Sequence, residues 1–360
     1  MKMVFRWFGK NHDNITLDYI KQIPGVTGIV TSLMDVKAGE VWDQAQILSV
    51  KDYVKRFNLE MEVIESVNIH EDIKMGLGQR DQYIENYIKT IRNLSKAGIK
   101  CICYNFMPVF DWLRTNLYRT MRDGSSAMYY DSAYIDSVKD ISTLIQGIQD
   151  DSNGFVLPGW ESERLAEIQG LFDIYKHIDE DRLFENLRYF LEAVLPECEK
   201  SDIKMAIHPD DPPWEIYGLP RIITSENNLN RLVGLVNSPY NCVTLCSGSL
   251  GASHQNDIPK IIRSIGSRIA FAHVRNIKRE AGGSFGEVSH LSGDGSLDIY
   301  EIMKAYYDIG FNGYVRPDHG RMIWNEKGRA GYGLYDRALG ITYLNGLIEA
   351  ISKNNKTTGG

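Results

Sequence analysis

Short apolar segments rich in Val, Ile and Phe recur along this chain between amphipathic stretches, and that alternation constrains the fold more than any other feature. They occupy residues 4–8, 28–31, 60–65, 99–106, 203–208, 242–246, 269–274 and 314–318. A strand apolar on both faces is covered on both faces, the situation of parallel strands between helices. Eight such strands suit a closed (β/α)8 barrel, a TIM barrel, better than an open sheet. The stretches between them read as helices. In residues 79–97, Tyr83, Tyr87, Ile91 and Leu94 recur every three or four positions, and Gly98 follows as a stop signal. Residues 183–199 and 336–351 carry the same pattern.

The 360 residues are expected to form one barrel domain over 1–352, with a frayed tail at 353–360. Residues 108–179 are too long for a single βα connection and read as a helical insertion after strand 4, at the active-site end. Such an insertion can serve as a lid or a subunit contact, and a homodimer is the expected assembly. Glycines at 282, 283 and 286, followed by Ser292-Gly-Asp-Gly-Ser, suggest a mobile loop; without a G-K-[ST] motif they are weak evidence for phosphate binding.

With 43% hydrophobic and 24% charged residues the chain can bury a core. A formal charge of −7 with interspersed Lys and Arg provides no basic stripe for nucleic acid. No apolar run is long enough for a bilayer, and the first residues do not form a signal peptide. Five cysteines, an odd number in a large chain, argue for free thiols and a reducing, cytoplasmic location. Cys101 and Cys103 alternate on one predicted strand, so both side chains face the same way, and packing is the reading that fits their spacing.

Barrel enzymes place reacting groups at the carboxyl ends of different strands. Four successive predicted strands end in a potential metal ligand: His208, Cys246, His273 and Asp318. Each alone is readily a structural residue. Their shared phase on neighbouring strands is what suggests one metal site at the barrel mouth. Imidazole, thiolate and carboxylate together suit a first-row divalent ion and disfavour Mg²⁺, which prefers oxygen and water. By position alone, Arg275, Asn276, His290 and Asn105 are candidates for binding a substrate, Arg275 being the best partner for a carboxylate because its fork binds in bidentate fashion.

The segments His208-Pro-Asp-Asp-Pro-Pro, Cys246-Ser-Gly-Ser, Ala272-His-Val-Arg-Asn, His290-Leu-Ser-Gly-Asp-Gly-Ser and Arg316-Pro-Asp-His-Gly resemble those of the mannonate dehydratase family. With the opening Arg6-Trp-Phe-Gly, the resemblance spans nearly the whole chain. It implies a barrel of the xylose-isomerase-like kind and the metal-dependent loss of water from D-mannonate, giving 2-dehydro-3-deoxy-D-gluconate in hexuronate (glucuronate) catabolism. It also assigns Mn²⁺ or Fe²⁺ to the same four residues, and an acid/base pair to His319 and the tyrosine of a Pro-Gly-Tyr stretch. Here that stretch is Ala330-Gly-Tyr332; the missing proline implies a less rigid loop and keeps Tyr335 as a competitor.

The implied reaction needs two side chains as well as a cation. A hydrogen α to a carboxylate leaves only if the developing charge is stabilised, while one group takes the C2 proton and another protonates the departing C3 hydroxyl. Imidazole suits either role near neutrality, whereas a phenol needs a nearby cation to act as a base. The order within the pair stays open at this stage. Competing readings are a sugar isomerase, which favours carboxylate-rich ligation; a phosphodiesterase, which needs more ligands and tolerates an acidic surface poorly; and a metal-binding protein without catalysis, for which His319 has no use.

Overall fold

In the computed structural model, residues 1–138, 141–152, 154 and 168–357 are described. Eight strands form a closed barrel: β1 (Lys2–Arg6), β2 (Val26–Thr31), β3 (Glu60–Glu65), β4 (Cys101–Tyr104), β7 (Lys204–Ile207), β8 (Asn241–Cys246), β9 (Ile269–His273) and β12 (Tyr314–Arg316). Every neighbouring pair is parallel, and β12 closes on β1. Each expected strand is present, with ends displaced by a few residues. At β1, Trp7 and Phe8 have left the ladder although Trp7 N still donates to Val30 O.

Alternation along each strand sorts side chains into two cores. Val4, Val30, Val63, Ala206 and Cys242 fill the barrel interior together with the ring of Phe271. Phe5, Ile29, Ile64, Ile102, Ile207 and Leu245 point outward into the layer of helices. Cys101 and Cys103 share the interior, as their spacing requires. Burial pushes both thiols well up, so they pack as neutral hydrophobes.

The helix over Arg80–Lys96 buries Ile84, Tyr87, Ile91 and Leu94. Gly98 then adopts φ +75°, a left-handed turn that releases the chain into β4. The helices Glu180–Ser201 and Leu334–Thr357 match the other two periodic stretches. The latter runs to Thr357, into the segment expected to be a frayed tail; residues 358–360 lie outside the described residues.

The region after β4 holds helices over Ser132–Ser137, Ile141–Asp151 and Ile168–Tyr175, but it is not purely helical. It opens with an antiparallel hairpin, β5 (Asn116–Thr120) and β6 (Ser126–Tyr130). Residues 139–140, 153 and 155–167 of the expected insertion lie outside the described residues. β6 pairs with β11 (Phe285–Glu287), and β11 pairs with β10 (Ile277–Arg279). The glycine-rich stretch expected to be a mobile loop is therefore the turn of a paired hairpin, with Gly282 and Gly283 at positive φ. This second sheet joins the segment after β4 to the segment after β9.

Candidate metal centre

Strand register assembles the centre. Cys246 lies opposite His273 across β8 and β9, and His273 lies opposite Arg316 across β9 and β12. His208 follows β7 directly, its N–H donating to Tyr104 O at 2.8 Å and so extending the ladder by one residue. Asp318 follows β12 after Pro317. One ligand atom from each of His208, Cys246, His273 and Asp318 lies within 4.8 Å of the others, all at the same end of the barrel. Cys246, His273 and Asp318 are buried, and His208 is partly so.

The hydrogen bonds within the cluster show which of its atoms are left to face a divalent ion. His208 Nδ1 lies 2.7 Å from Pro209 O, so the proton sits on Nδ1 and Nε2 is left facing the cluster. His273 Nδ1 is buried without a hydrogen-bond partner. Its Nε2 stands between Arg316 Nε at 3.1 Å and Glu65 Oε2 at 3.5 Å. Arg316 Nε–H donates to that Nε2, and Nδ1 faces Asp318 Oδ1 at 3.7 Å. Burial pushes the Cys246 thiol up, but the Arg275 guanidinium and the neighbouring histidines outweigh it and bring the thiol to about 5. Burial likewise opposes ionisation of Asp318, yet His319, Arg316, His273 and Arg275 hold it well below the carboxylate range. Against the burial that disfavours its charge, His208 is drawn up to about 9 by Cys246 and Asp318. A deprotonated thiolate, an ionised carboxylate and an orphaned imidazole nitrogen form a donor set that fits a first-row divalent ion.

A cavity of about 770 Å³ opens over the cluster, and Asn105, His208, Asp318, His319 and Tyr332 line it. His319 Nε2 lies 3.1 Å from Tyr332 Oη, and His319 Nδ1 lies 3.2 Å from Glu287 Oε1. Trp112 packs edge-on to His319 with ring centroids 6.2 Å apart. Burial and the Asp318 charge push the Tyr332 phenol up, so it is protonated in the resting site. Despite the missing proline, the Tyr332 loop is tied down: Tyr332 N donates to Arg329 O at 2.9 Å, Gly331 O accepts from Gly320 N at 2.8 Å, and Arg337 donates to Tyr332 O. Tyr335 is 43% exposed and packs on Trp324 at the surface, outside the cavity lining.

Three of the four residues chosen for substrate binding by position are elsewhere. Arg275 is fully buried and committed to Glu287, to Asp211 Oδ2 at 2.6 Å, to Asp318 Oδ2 at 2.9 Å and to Ser249 Oγ at 3.0 Å. Its fork shapes the charge of the centre, and Arg275 does not line the cavity. Asn276 closes its own loop, bonding Leu291 O, Ile277 N and Leu297 N. His290 is buried against Gly340 on the last helix, and burial lowers its pKa. Only Asn105 reaches the cavity.

Reading the sequence overlooked four residues. Glu65 ends β3 and pairs with Arg316 Nη2 at 2.8 Å. The strand-end rule that selected the four ligands applies to it equally. Arg316 bridges Glu65 and Asp318, the latter at 2.8 Å. Arg6 lines the cavity from the end of β1, with Nη1 on Trp7 O and Val30 O. Glu287 carried no local signal, because the second sheet brings it to His319.

The D-mannonate dehydratase (UxuA) family model matches residues 1–358. The chain is 59% identical over 355 residues to a mannonate dehydratase of Thermotoga neapolitana, covering 98% of each chain. The crystal structure of mannonate dehydratase from Streptococcus suis serotype 2 superposes with a TM-score of 0.90 at 43% identity, covering 99% of this chain and 96% of that one. A xylose isomerase domain protein from Planctomyces limnophilus, at 11% identity and a TM-score of 0.54 over 98% of each chain, shares the fold. No helix among the described residues is long and apolar enough to cross a membrane. By the full-length match of its sequence and the shared architecture of its barrel, the chain belongs to the D-mannonate dehydratase family.

Proposed function

We infer that the cavity dehydrates D-mannonate to 2-dehydro-3-deoxy-D-gluconate, with His208, Cys246, His273 and Asp318 holding one Mn²⁺ or Fe²⁺ ion. The observation that carries this reading is the His319–Tyr332 hydrogen bond beside the ligand cluster, in a chain of this family. When bound, the ion would act as a Lewis acid toward charge developing on the substrate carboxylate. Proton traffic is left to the protein. His319 Nε2, with its lone pair toward Tyr332, takes the C2 proton. The protonated Tyr332 phenol gives its proton to the departing C3 hydroxyl, which leaves as water. The resulting enol tautomerises to the 2-keto acid. The direct hydrogen bond then returns the proton from the imidazolium to the phenolate, so one turnover restores both groups.

With Arg275 committed elsewhere, Arg6 is the cation on the cavity wall that we assign to the substrate carboxylate, and Asn105 is assigned to a substrate hydroxyl. Five free, buried cysteines support a reducing, cytoplasmic compartment, and we expect a homodimer. The test is to incubate metal-reconstituted protein with a panel of aldonic acids and assay 2-keto-3-deoxy acid. D-Mannonate is expected to be converted fastest; isomerised sugar without dehydration overturns the reading.

A further inference from the structure

Glu287 does not belong to the barrel. It ends β11 in the second sheet, yet its side chain is buried beside His319. Its Oε1 accepts from Arg114 Nη2 at 2.8 Å, from Arg275 Nη1 and from His319 Nδ1 at 3.2 Å. Arg114 is gripped in turn by Asp211 through two bonds of 2.8 and 3.0 Å, and its guanidinium lies 4.8 Å from the Phe285 ring centroid. Phe285 stacks on Tyr130 of β6. The carboxylate oxygen is thus fixed by two arginines and a paired strand before it meets the imidazole. Burial opposes its ionisation, but Arg275, Arg114 and His319 bring the carboxyl to about 2.

An ionised carboxylate only accepts hydrogen bonds, so the nitrogen facing it must carry the proton. In a neutral imidazole the lone pair is then on Nε2, which faces the Tyr332 hydroxyl at 3.1 Å. We propose that Glu287 is a positioning residue that fixes His319 as the Nδ1–H tautomer, making Nε2 the nitrogen that exchanges protons with substrate and with Tyr332. This rests on the proton-transfer role of His319 given above and adds the device that sets it. The second sheet is thereby a working part of the site, since it delivers the acceptor that no barrel strand supplies.

Two variants separate this role from simple ion pairing. Glu287→Asp keeps the charge that the arginines need but withdraws the oxygen from His319 by one methylene, about 1.5 Å. Glu287→Gln loses the charge but keeps an oxygen in place, because both arginines can only donate to it. Two readouts are taken: ¹⁵N spectra of histidine-labelled protein free of paramagnetic ions at alkaline pH, with His319 assigned by its loss in His319→Asn, and steady-state kinetics on the Mn²⁺-loaded enzyme. The wild type is expected to show a protonated Nδ1 and an unprotonated Nε2. Glu287→Asp is expected to lose that fixed tautomer and at least about tenfold in kcat, with KM and metal content near wild type. Glu287→Gln is expected to keep the tautomer and lose less. An Nε2–H tautomer in the wild type overturns the proposal, as does a Glu287→Asp protein with wild-type tautomer and kcat, or equal kcat losses in both variants that track metal loss. The spectra need no substrate, so wild-type protein inert toward D-mannonate refutes the dehydratase reading while the tautomer assignment is judged on its own.

Discussion

His319 and Asp318 are adjacent in sequence yet face different tasks: Asp318 points into the ligand cluster, while His319 spans Tyr332 and Glu287. Removing the imidazole should therefore spare the metal. His319→Asn is expected to keep fold and metal content while turnover falls on the order of 10²–10⁴-fold, the usual contribution of a positioned acid or base. Metal analysis and kinetics on one preparation decide it, and metal lost in step with activity would make His319 a ligand support instead. Tyr332→Phe should show a comparable loss, whereas Tyr335→Phe should stay near wild type because that ring lies at the surface. At this scale, what the sequence revealed depended on backbone period. His208, Cys246, His273 and Asp318 were legible because a strand end is a fixed place in a barrel. For Arg275, strand phase says where the side chain starts, not which partners already hold its far end. Arg275 extends into a nest of carboxylates that are distant in the chain.

Among the elements, the eight strands were visible because burial on both faces leaves an unbroken apolar run, and the long helices because their buried stripe has its own period. The β5–β6 hairpin was not. Its strands are short, its side chains Asn116, Tyr118 and Arg119 give no alternation, and its partner β11 arrives from far along the chain. The loop carrying Tyr332 shows how much a single connection can matter. Gly331 sits at φ +75°, and a Cβ there would lie 2.5 Å from Met128 Cε on β6 and 3.4 Å from His319 Cβ. Gly331→Ala should cost roughly 1–2 kcal/mol from backbone conformation alone. Since the added methyl would meet Met128 and His319 beside Tyr332, the two residues proposed to move protons being His319 and Tyr332, kcat should fall further than the lost folded fraction explains, with metal retained. Denaturation and kinetics performed together test this. An alanine variant unchanged in both would show that the loop has more room than its contacts indicate.

Across the whole molecule, two charge balances govern stability. The first belongs to the proposed ion: held by the four strand-end residues, it would bind the folded barrel and not the unfolded chain, so chelation should lower the melting point. At 100-fold excess over Kd the ion adds about 2.7 kcal/mol. Mn²⁺ or Fe²⁺ should restore both activity and melting point better than Mg²⁺, and full Mg²⁺ activity in Cys246→Ser would sink the thiolate assignment. The second balance is that of the buried carboxylates. Glu65, Asp211, Glu287 and Asp318 all resist the protonating effect of burial because arginines face them, with Arg316, Arg114 and Arg275 the main partners. Each has a folded-state pKa below its unfolded value, so its stabilisation is present above the unfolded value and lost as pH falls through the folded one. Glu287, moving from 4.5 to about 2, sets the window. In metal-free protein, His208 and Cys246 oppose one another at higher pH. His208, raised from 6.5 to about 9, loses its stabilisation as pH rises through that range, while Cys246, lowered from 9.0 to about 5, gains its own. Metal-free stability is therefore expected to change little between about 6.5 and 9 and to collapse between about 4.5 and 2, with uptake of more than one proton. Urea denaturation across this pH series measures it. A steep decline already complete above pH 4.5 would mean that the buried carboxylates are not what acid titrates first.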